Sequence, residues 1–492
     1  MKILKVLVLI CLILNLAAPA LADTKTVLNT EAIDSYIEKE MQISSIPGLS
    51  LGIIQNGEII YLQGYGKAGT NLQVSANTPM VIGSLSKSVT AVAVMQLVED
   101  GKIELDSPLQ SYLPWFTMQG EYDPAEITVR HLLNQTSGIP NTANLVALSG
   151  GSLENLRAEI KALSSIALSN RPGDQYIYSN VNFDILALII EQVTENSYRD
   201  YLRKYLLEPL EMQNSFLSKT EGKAAGMSEG HTRWLGIPLP TDIHYLDNSL
   251  ASGFIISSAE DMSRYLLMHL NSGSVNGYQL LTENGIAELH SPGSMADGVS
   301  PYAMGLIARD ENGKRVLLHD GAMQGFNSAM AFSPEEQWGV IILTNVNSLI
   351  EQPAMNIALG VARFLQGQTP ENSSRVPGIL YLAAIILLVS LLLLTVRSII
   401  LLPKCWEKRT NDNRPQGFFG YSRAVLLPVL LELFLPFMVF LFLPAGAGFP
   451  LWNLLALFHP DLVYGLLILS VALVIKAAYR VYLGTRTLMQ AA

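Results

Sequence analysis

Residues 80–100 read MVIGSLSKSVTAVAVMQLVED. Three serines, Ser84, Ser86 and Ser88, and one lysine, Lys87, stand at the head of an apolar run of helical length. Residues i and i+3 share one face of a helix, and only Ser84 has that relation to Lys87. At a helix start Ser84 would meet free backbone N–H groups and the positive end of the dipole, both of which stabilise an oxyanion. A serine hydroxyl is a weak nucleophile without a base. A lysine can serve as that base only if burial or nearby positive charge lowers its pKa. The pattern alone is met equally well by a serine N-cap followed by a solvated first-turn lysine. A catalytic reading therefore demands further polar groups from elsewhere in the chain, gathered in a desolvated cleft.

Upstream, Ile33, Tyr36, Ile37 and Met41 recur at helical spacing. The runs GLSLGIIQ (48–55) and EIIYLQGYG (58–66) flank Asn56-Gly57, a strong hairpin signal. From about 100 to 300 the pattern is mostly helical, with Ser258 and Asp261 at capping-box spacing. After 300 strands return: YAMGLIARD and RVLLHDG around Asn312-Gly313, then GFNSAMAFSP, WGVIILTNV and a helix near Gln352–Gln366. Strands at both ends and helices between them predict an α/β fold. One antiparallel sheet is built from both ends of the domain and flanked by helices, with a large helical insertion and a site between the two parts.

Two further motifs answer the demand for partners. Tyr178-Ser179-Asn180 precedes an apolar helix, and His319-Asp320-Gly321 ends a strand. With Ser84-x-x-Lys87 they form an ordered set that resembles the serine β-lactamase-like, penicillin-recognising family. Within it the set is most similar to the class C branch with its peptidase and esterase relatives. The resemblance covers about 30–366. It implies that Ser84 is the nucleophile of an acyl-enzyme and that Lys87 shares in its deprotonation. Tyr178 would be the partner base or acid, its phenol pKa lowered by neighbouring positive charge. Asn180 would bind the substrate amide and help orient Lys87. The N–H groups of Ser84 and Ala322 would form the oxyanion hole, with His319 and Gly321 on the substrate side.

The third motif departs from the Lys-Thr-Gly of many members. A histidine, with a reference pKa of about 6.5, is mostly neutral at neutral pH. Asp320 adds negative charge where a hydroxyl is usual. Both changes favour esters, amides or short D-amino-acid peptides over carboxylate-bearing penicillins. Gln135 stands where many relatives have histidine and is read as structural. Neither cofactor nor metal is expected: Glu229 and His231 in SEGHTRW (228–234), with His244, lack metal-ligand spacing and read as loop.

The net charge is −10, and the acidic excess lies in 23–375, which argues against nucleic acid as a partner. Residues 1–22 have the n-, h- and c-regions of a signal peptide. The hydrolase domain is assigned to 23–366, a polar linker to 367–375 and a membrane region to 376–492. Three transmembrane helices are expected, at about 376–396, 424–443 and 462–482. The loop between the first two is rich in Lys and Arg and the next loop has none, so the C-terminus is predicted to be cytoplasmic and the catalytic domain extracytoplasmic. Residues 449–460 read as interfacial. Lys476 is expected to snorkel, and Glu432, near mid-membrane, to be protonated or to face the bundle. The two cysteines, Cys11 and Cys405, offer no disulfide framework.

These readings predict a membrane-anchored serine hydrolase. Its substrates would be small peptides, amides or esters, peptidoglycan-derived ones among them. One alternative is a β-lactamase or penicillin-binding D-alanyl-D-alanine carboxypeptidase. Another is a catalytically silent binding or sensor domain.

Overall fold

The computed structural model describes residues 28–143, 153–296, 298, 300–311, 313–348, 352–412, 417–439, 455 and 458–489. The expected signal peptide, Asn312, the second span beyond Val439 and most of 449–460 lie outside these residues.

Helix α1 (Thr30–Ile43) opens on Asn29, whose side chain accepts the Ala32 N–H, and buries Ile33, Tyr36 and Ile37. Strands β1 (Gly48–Gln55) and β2 (Glu58–Gly69) follow as the expected hairpin. Its turn residues Asn56 and Gly57 both have positive φ, which the Asn-Gly pair tolerates at little cost. With β3 (Leu72–Gln73), β4 (Tyr302–Ala303), β5 (Leu306–Glu311), β6 (Lys314–Met323), β7 (Phe326–Ser333) and β8 (Trp338–Thr344), they form one antiparallel sheet of eight strands. The order is β4-β5-β6-β7-β8-β1-β2-β3. The closing contact is β1 on β8, with Leu51 opposite Ile342 and Ile53 opposite Val340, so the two ends of the domain make one sheet.

Alternation along β1 sorts the two faces. Leu49, Leu51 and Ile53 meet α1 and α5 (Pro353–Leu365) on one side. The other side receives α2 (Leu85–Glu99), α3 (Asn180–Thr194) and α4 (Ala259–Leu270). At Gly52 the backbone of β1 packs directly against α4, with only the small Ser263 side chain at the contact. A Cβ there would lie 2.1 Å from Ser263 Oγ.

One local expectation is corrected. Residues 230–234 are not loop: Gly230–Trp234 is a strand, paired with Ile237–Thr241 and with Val346–Asn347. Its pairing on both sides buries Gly230 to Arg233 and leaves Trp234 exposed.

Among the described residues three helical stretches are long and apolar enough to cross a membrane: Val376–Asn411 in α6 (Val376–Asp412), Phe419–Phe437, which ends in α7 (Leu427–Phe437), and α8 (Pro460–Met489). Helix α6 does not end at the expected boundary near 396. It carries the basic residues Arg397, Lys404, Lys408 and Arg409 on as helix. Helices α6 and α8 run parallel: Tyr381 bonds Asp461 near their first turns, and Trp406 Nε1 donates to Thr487 Oγ1 at 2.9 Å near their last. Lys476 does not snorkel. Its Nζ lies 3.3 Å from Glu432, which also receives Arg480 at 2.7 Å, so Glu432 faces the bundle as half of an interhelical ion pair.

Candidate active site

Helix α2 begins where its backbone is forced close to β6. Gly83 has φ +55, and a Cβ on it would lie 2.9 Å from Ala322 N. A Cβ on Gly321 would lie 2.2 Å from Ile82 O and from Ser328 Oγ, which itself donates to Ile82 O at 2.6 Å. Only glycine permits this approach at 321, and it brings the Ala322 backbone beside the start of α2.

Ser84 occupies the N-cap position of α2 but makes no side-chain cap bond. Its Oγ instead accepts from Lys87 Nζ at 3.0 Å and from the Tyr178 hydroxyl at 2.8 Å. The other two serines are structural. Ser86 Oγ donates to Gly83 O and accepts the Ile255 N–H, and Ser88 Oγ donates to Leu85 O.

Lys87 is fully buried, with Nζ 4.8 Å from the centre of the Tyr178 ring. Its second bond, 2.5 Å long, goes to the carbonyl of Ser252. That carbonyl belongs to a wide helical turn, Leu250–Phe254, held by Thr90 Oγ1, which donates to Ala251 O at 2.7 Å and bonds the Tyr198 hydroxyl. Burial drives the Lys87 ammonium down to about 7, against the pull of Asp184 and Asp320. Asp184 is buried one turn into α3, and burial pushes its carboxyl up to about 7, opposed by Ser252 and Lys87. The hydroxyls of Ser252 and Ser249 are the hydrogen-bonding groups that hold this rise in check, and Lys87 acts on it through charge.

Tyr178 is clamped from both sides by Gln135. The Gln135 carbonyl accepts the Ile177 N–H at 2.8 Å, and its Oε1 accepts the Ser179 N–H at 3.0 Å and Asn182 Nδ2. Gln135 itself sits at φ +58. The expected lowering of the Tyr178 phenol is reversed. Burial, with the Asp320 charge added, holds it well above the usual tyrosine range, so it is a protonated donor to Ser84. Asn180 opens α3, and its Oδ1 is buried with no partner among the described residues. It makes no bond to Lys87, which is oriented by Ser84 and Ser252 instead.

His319 lies on β6, which beyond Leu318 is paired only on its β7 side. Its Nδ1 bonds the Asp320 carbonyl at 2.6 Å, its ring packs edge-on against Tyr302, and its Nε2 is buried without a partner among the described residues. Burial and Lys87 hold the imidazole below the ordinary histidine range, although Asp320 opposes them, so it is neutral.

The Beta-lactamase family profile matches residues 33–361, the whole sheet and both flanking layers. The chain belongs to the Beta-lactamase family. Protein flp of Staphylococcus aureus strain MW2 is 28% identical over 320 residues, which are 65% of this chain and 63% of that protein. The chain thus spans about 63% of the length of these curated relatives. The octameric penicillin-binding protein homologue from Pyrococcus abyssi aligns with a TM-score of 0.62 and 28% identity, over 70% of this chain and 78% of its own.

Members of the Beta-lactamase family are serine hydrolases, and the fold here is the β-lactamase-like one. Two residues at the centre of the cluster escaped the sequence reading. Asp184 had a signal, a lone acid inside the apolar run NVNFDILALII. The Ser252 contribution is a backbone carbonyl, which no side-chain pattern announces.

Proposed function

We propose that the chain is a membrane-anchored serine hydrolase whose Ser84 forms an acyl-enzyme with D-amino-acid peptides, amides or esters. The observation that carries this reading is the placement of Ser84 Oγ between a buried, pKa-lowered Lys87 and a protonated Tyr178. In its neutral form Lys87 Nζ takes the Ser84 proton as Oγ bonds to the substrate carbonyl carbon. The backbone N–H groups of Ser84 and Ala322 receive the oxyanion. As the tetrahedral species collapses, the scissile bond breaks and the leaving amine or alkoxide takes the Tyr178 hydroxyl proton, which Lys87 restores. Water then attacks the ester by the same route in reverse and frees Ser84.

His319 supplies no positive charge for a substrate carboxylate, and Asp320 adds a negative one. Both support neutral acyl substrates, cell-envelope components among them. The signal-peptide pattern of residues 1–22, three helices apolar enough to span a membrane and the basic α6 extension support an extracytoplasmic catalytic domain and a cytoplasmic C-terminus. A second reading, acylation by β-lactams, is favoured by the likeness to a penicillin-binding protein homologue.

A fluorescent serine-hydrolase probe offered to the full chain in lipid nanodiscs is expected to label the wild type and not Ser84→Ala. Equal labelling of both would remove Ser84 as the nucleophile. A parallel panel of esters, D-amino amides and a chromogenic cephalosporin separates the two readings.

A further inference from the structure

The strand Gly230–Trp234 turns through Leu235-Gly236 into Ile237–Thr241. Four large apolar side chains of this hairpin are exposed: Trp234 by 38%, Leu235 by 55%, Ile237 by 61% and Leu239 by 45%. A contiguous apolar patch of this kind marks an interaction site. Its position says with what. The Leu235 N–H donates to Asp461 Oδ2 at 2.7 Å, and the same carboxylate receives the Tyr381 hydroxyl from α6. Trp234 stacks on Tyr464 in the first turns of α8, with centroids 6.0 Å apart and planes 16° from parallel.

Tyr381 lies five residues into the uncharged run 376–396, about 7.5 Å along the helix from its start. That run of 21 residues is about 31 Å long, the thickness of a hydrocarbon core, so its depth in a bilayer has little slack. The hairpin tip is therefore tied to a level inside the apolar zone of the spans. Its two strands pair from Gly230/Thr241 to Trp234/Ile237 and Asp461 takes the Leu235 N–H, while the outer edge of Ile237–Thr241 carries Pro238 and Pro240, which have no N–H to satisfy. The Trp234–Tyr464 pair falls where aromatic rings favour the membrane interface.

We infer that the hairpin 230–241 is a second membrane contact, an interfacial wedge whose Trp234, Leu235, Ile237 and Leu239 enter the bilayer surface on the catalytic side. Its base leads to the site. Gly230–Trp234 pairs with Val346–Asn347, and Asn347 Nδ2 donates to Met323 O at 3.0 Å, one residue beyond Ala322. The wedge thereby sets the height of β6 above the lipid.

This inference rests on the reading of α6 and α8 as spans, and the test separates the two. In the full chain with Cys11 and Cys405 replaced by serine, cysteine is introduced singly at Ile237, at Leu387 in mid-span, and at Tyr278, an exposed residue at the opposite end of the sheet. Each is labelled with an environment-sensitive fluorophore in proteoliposomes. The labels at 237 and 387 are expected to be quenched by spin-labelled lipids, shallow ones at 237 and deep ones at 387. Iodide quenching at 237 is expected to be severalfold weaker than at 278. Lipid quenching at 387 with iodide access at 237 equal to 278 overturns the wedge alone. Shielding at 237 without lipid quenching also overturns it, because protein would then cover the patch. No lipid quenching at either 237 or 387 removes both readings.

Discussion

Lys87 and Asp184 in the catalytic domain, and Glu432 with Lys476 and Arg480 in the helix bundle, are both ionic groups taken out of water, yet they are built differently. Glu432 is closed directly onto its partners at 2.7 and 3.3 Å. In the catalytic domain the ends are not closed on each other. Lys87 bonds to Ser84 and to the Ser252 carbonyl, while Asp184 meets the Ser252 and Ser249 hydroxyls and feels Lys87 only through charge. A direct bond returns much of the desolvation cost and fixes both charges, whereas an unclosed buried pair leaves each proton close to balance. The first arrangement fastens helices. The second makes a lysine that can both take and give a proton near neutral pH.

Lys87→Met breaks the reactive member and should have the largest effect. Loss of a positioned base typically costs ~10²–10⁴ in rate. Acylation measured by stopped flow should fall by that amount while the fold, read by circular dichroism, persists. Glu432→Gln breaks the fastened member and leaves two cations in the bundle without their counter-charge. Removing one partner of a buried pair costs about 3 kcal/mol, to be read as a lower unfolding midpoint in micelles, with the rate constant of the folded fraction unchanged.

A third buried pair sharpens the contrast. His269 Nδ1 and His290 Nε2 are bonded at 3.0 Å, and burial holds both imidazoles low, His290 at about 3. A folded-state pKa below the unfolded value means stability is complete above about 6.5 and is lost as pH falls toward 3. Between about pH 6.5 and 4.5, His290 alone removes about 2 kcal/mol. Denaturant titrations of His290→Gln should show a shallower acid decline by that amount, provided the variant folds at neutral pH.

The smallest effect tests the coupling itself. Asp184 pulls the Lys87 pKa upward, and the reactive form of Lys87 is the neutral one, so acylation should rise with pH through about 7. Asp184→Asn removes the pull and should move that rise to lower pH by about one unit. An unmoved pH profile would show that Asp184 does not sense Lys87.

The elements that local chemistry dictates were legible in the sequence. Asn56-Gly57 announced its hairpin, Ser258 its helix start, and the Ser84–Lys87 spacing the shared face of α2. What escaped depends on neighbours distant in the chain. The Tyr178 phenol is raised because burial outweighs nearby charge, and burial is a property of packing. Lys476 reads as a snorkelling lysine until α7 places Glu432 beside it. Residues 230–234 read as loop because the strand that ties their hairpin to the rest of the domain, Val346–Asn347, lies more than 100 residues further along the chain.

The bare contact between α2 and β6 has a consequence for how this site can vary. With Gly321 pressed on Ile82 O and Gly83 on Ala322 N, the proposed nucleophile Ser84 and the proposed oxyanion donor Ala322 share one joint built on glycine backbone. A mutation at either glycine shifts both groups together, so preference among acyl groups cannot be adjusted there without loss of the reaction. Adjustment is confined to the rim, at His319, Asp320 and the residues around Tyr178, where a side chain can change while the joint stays shut.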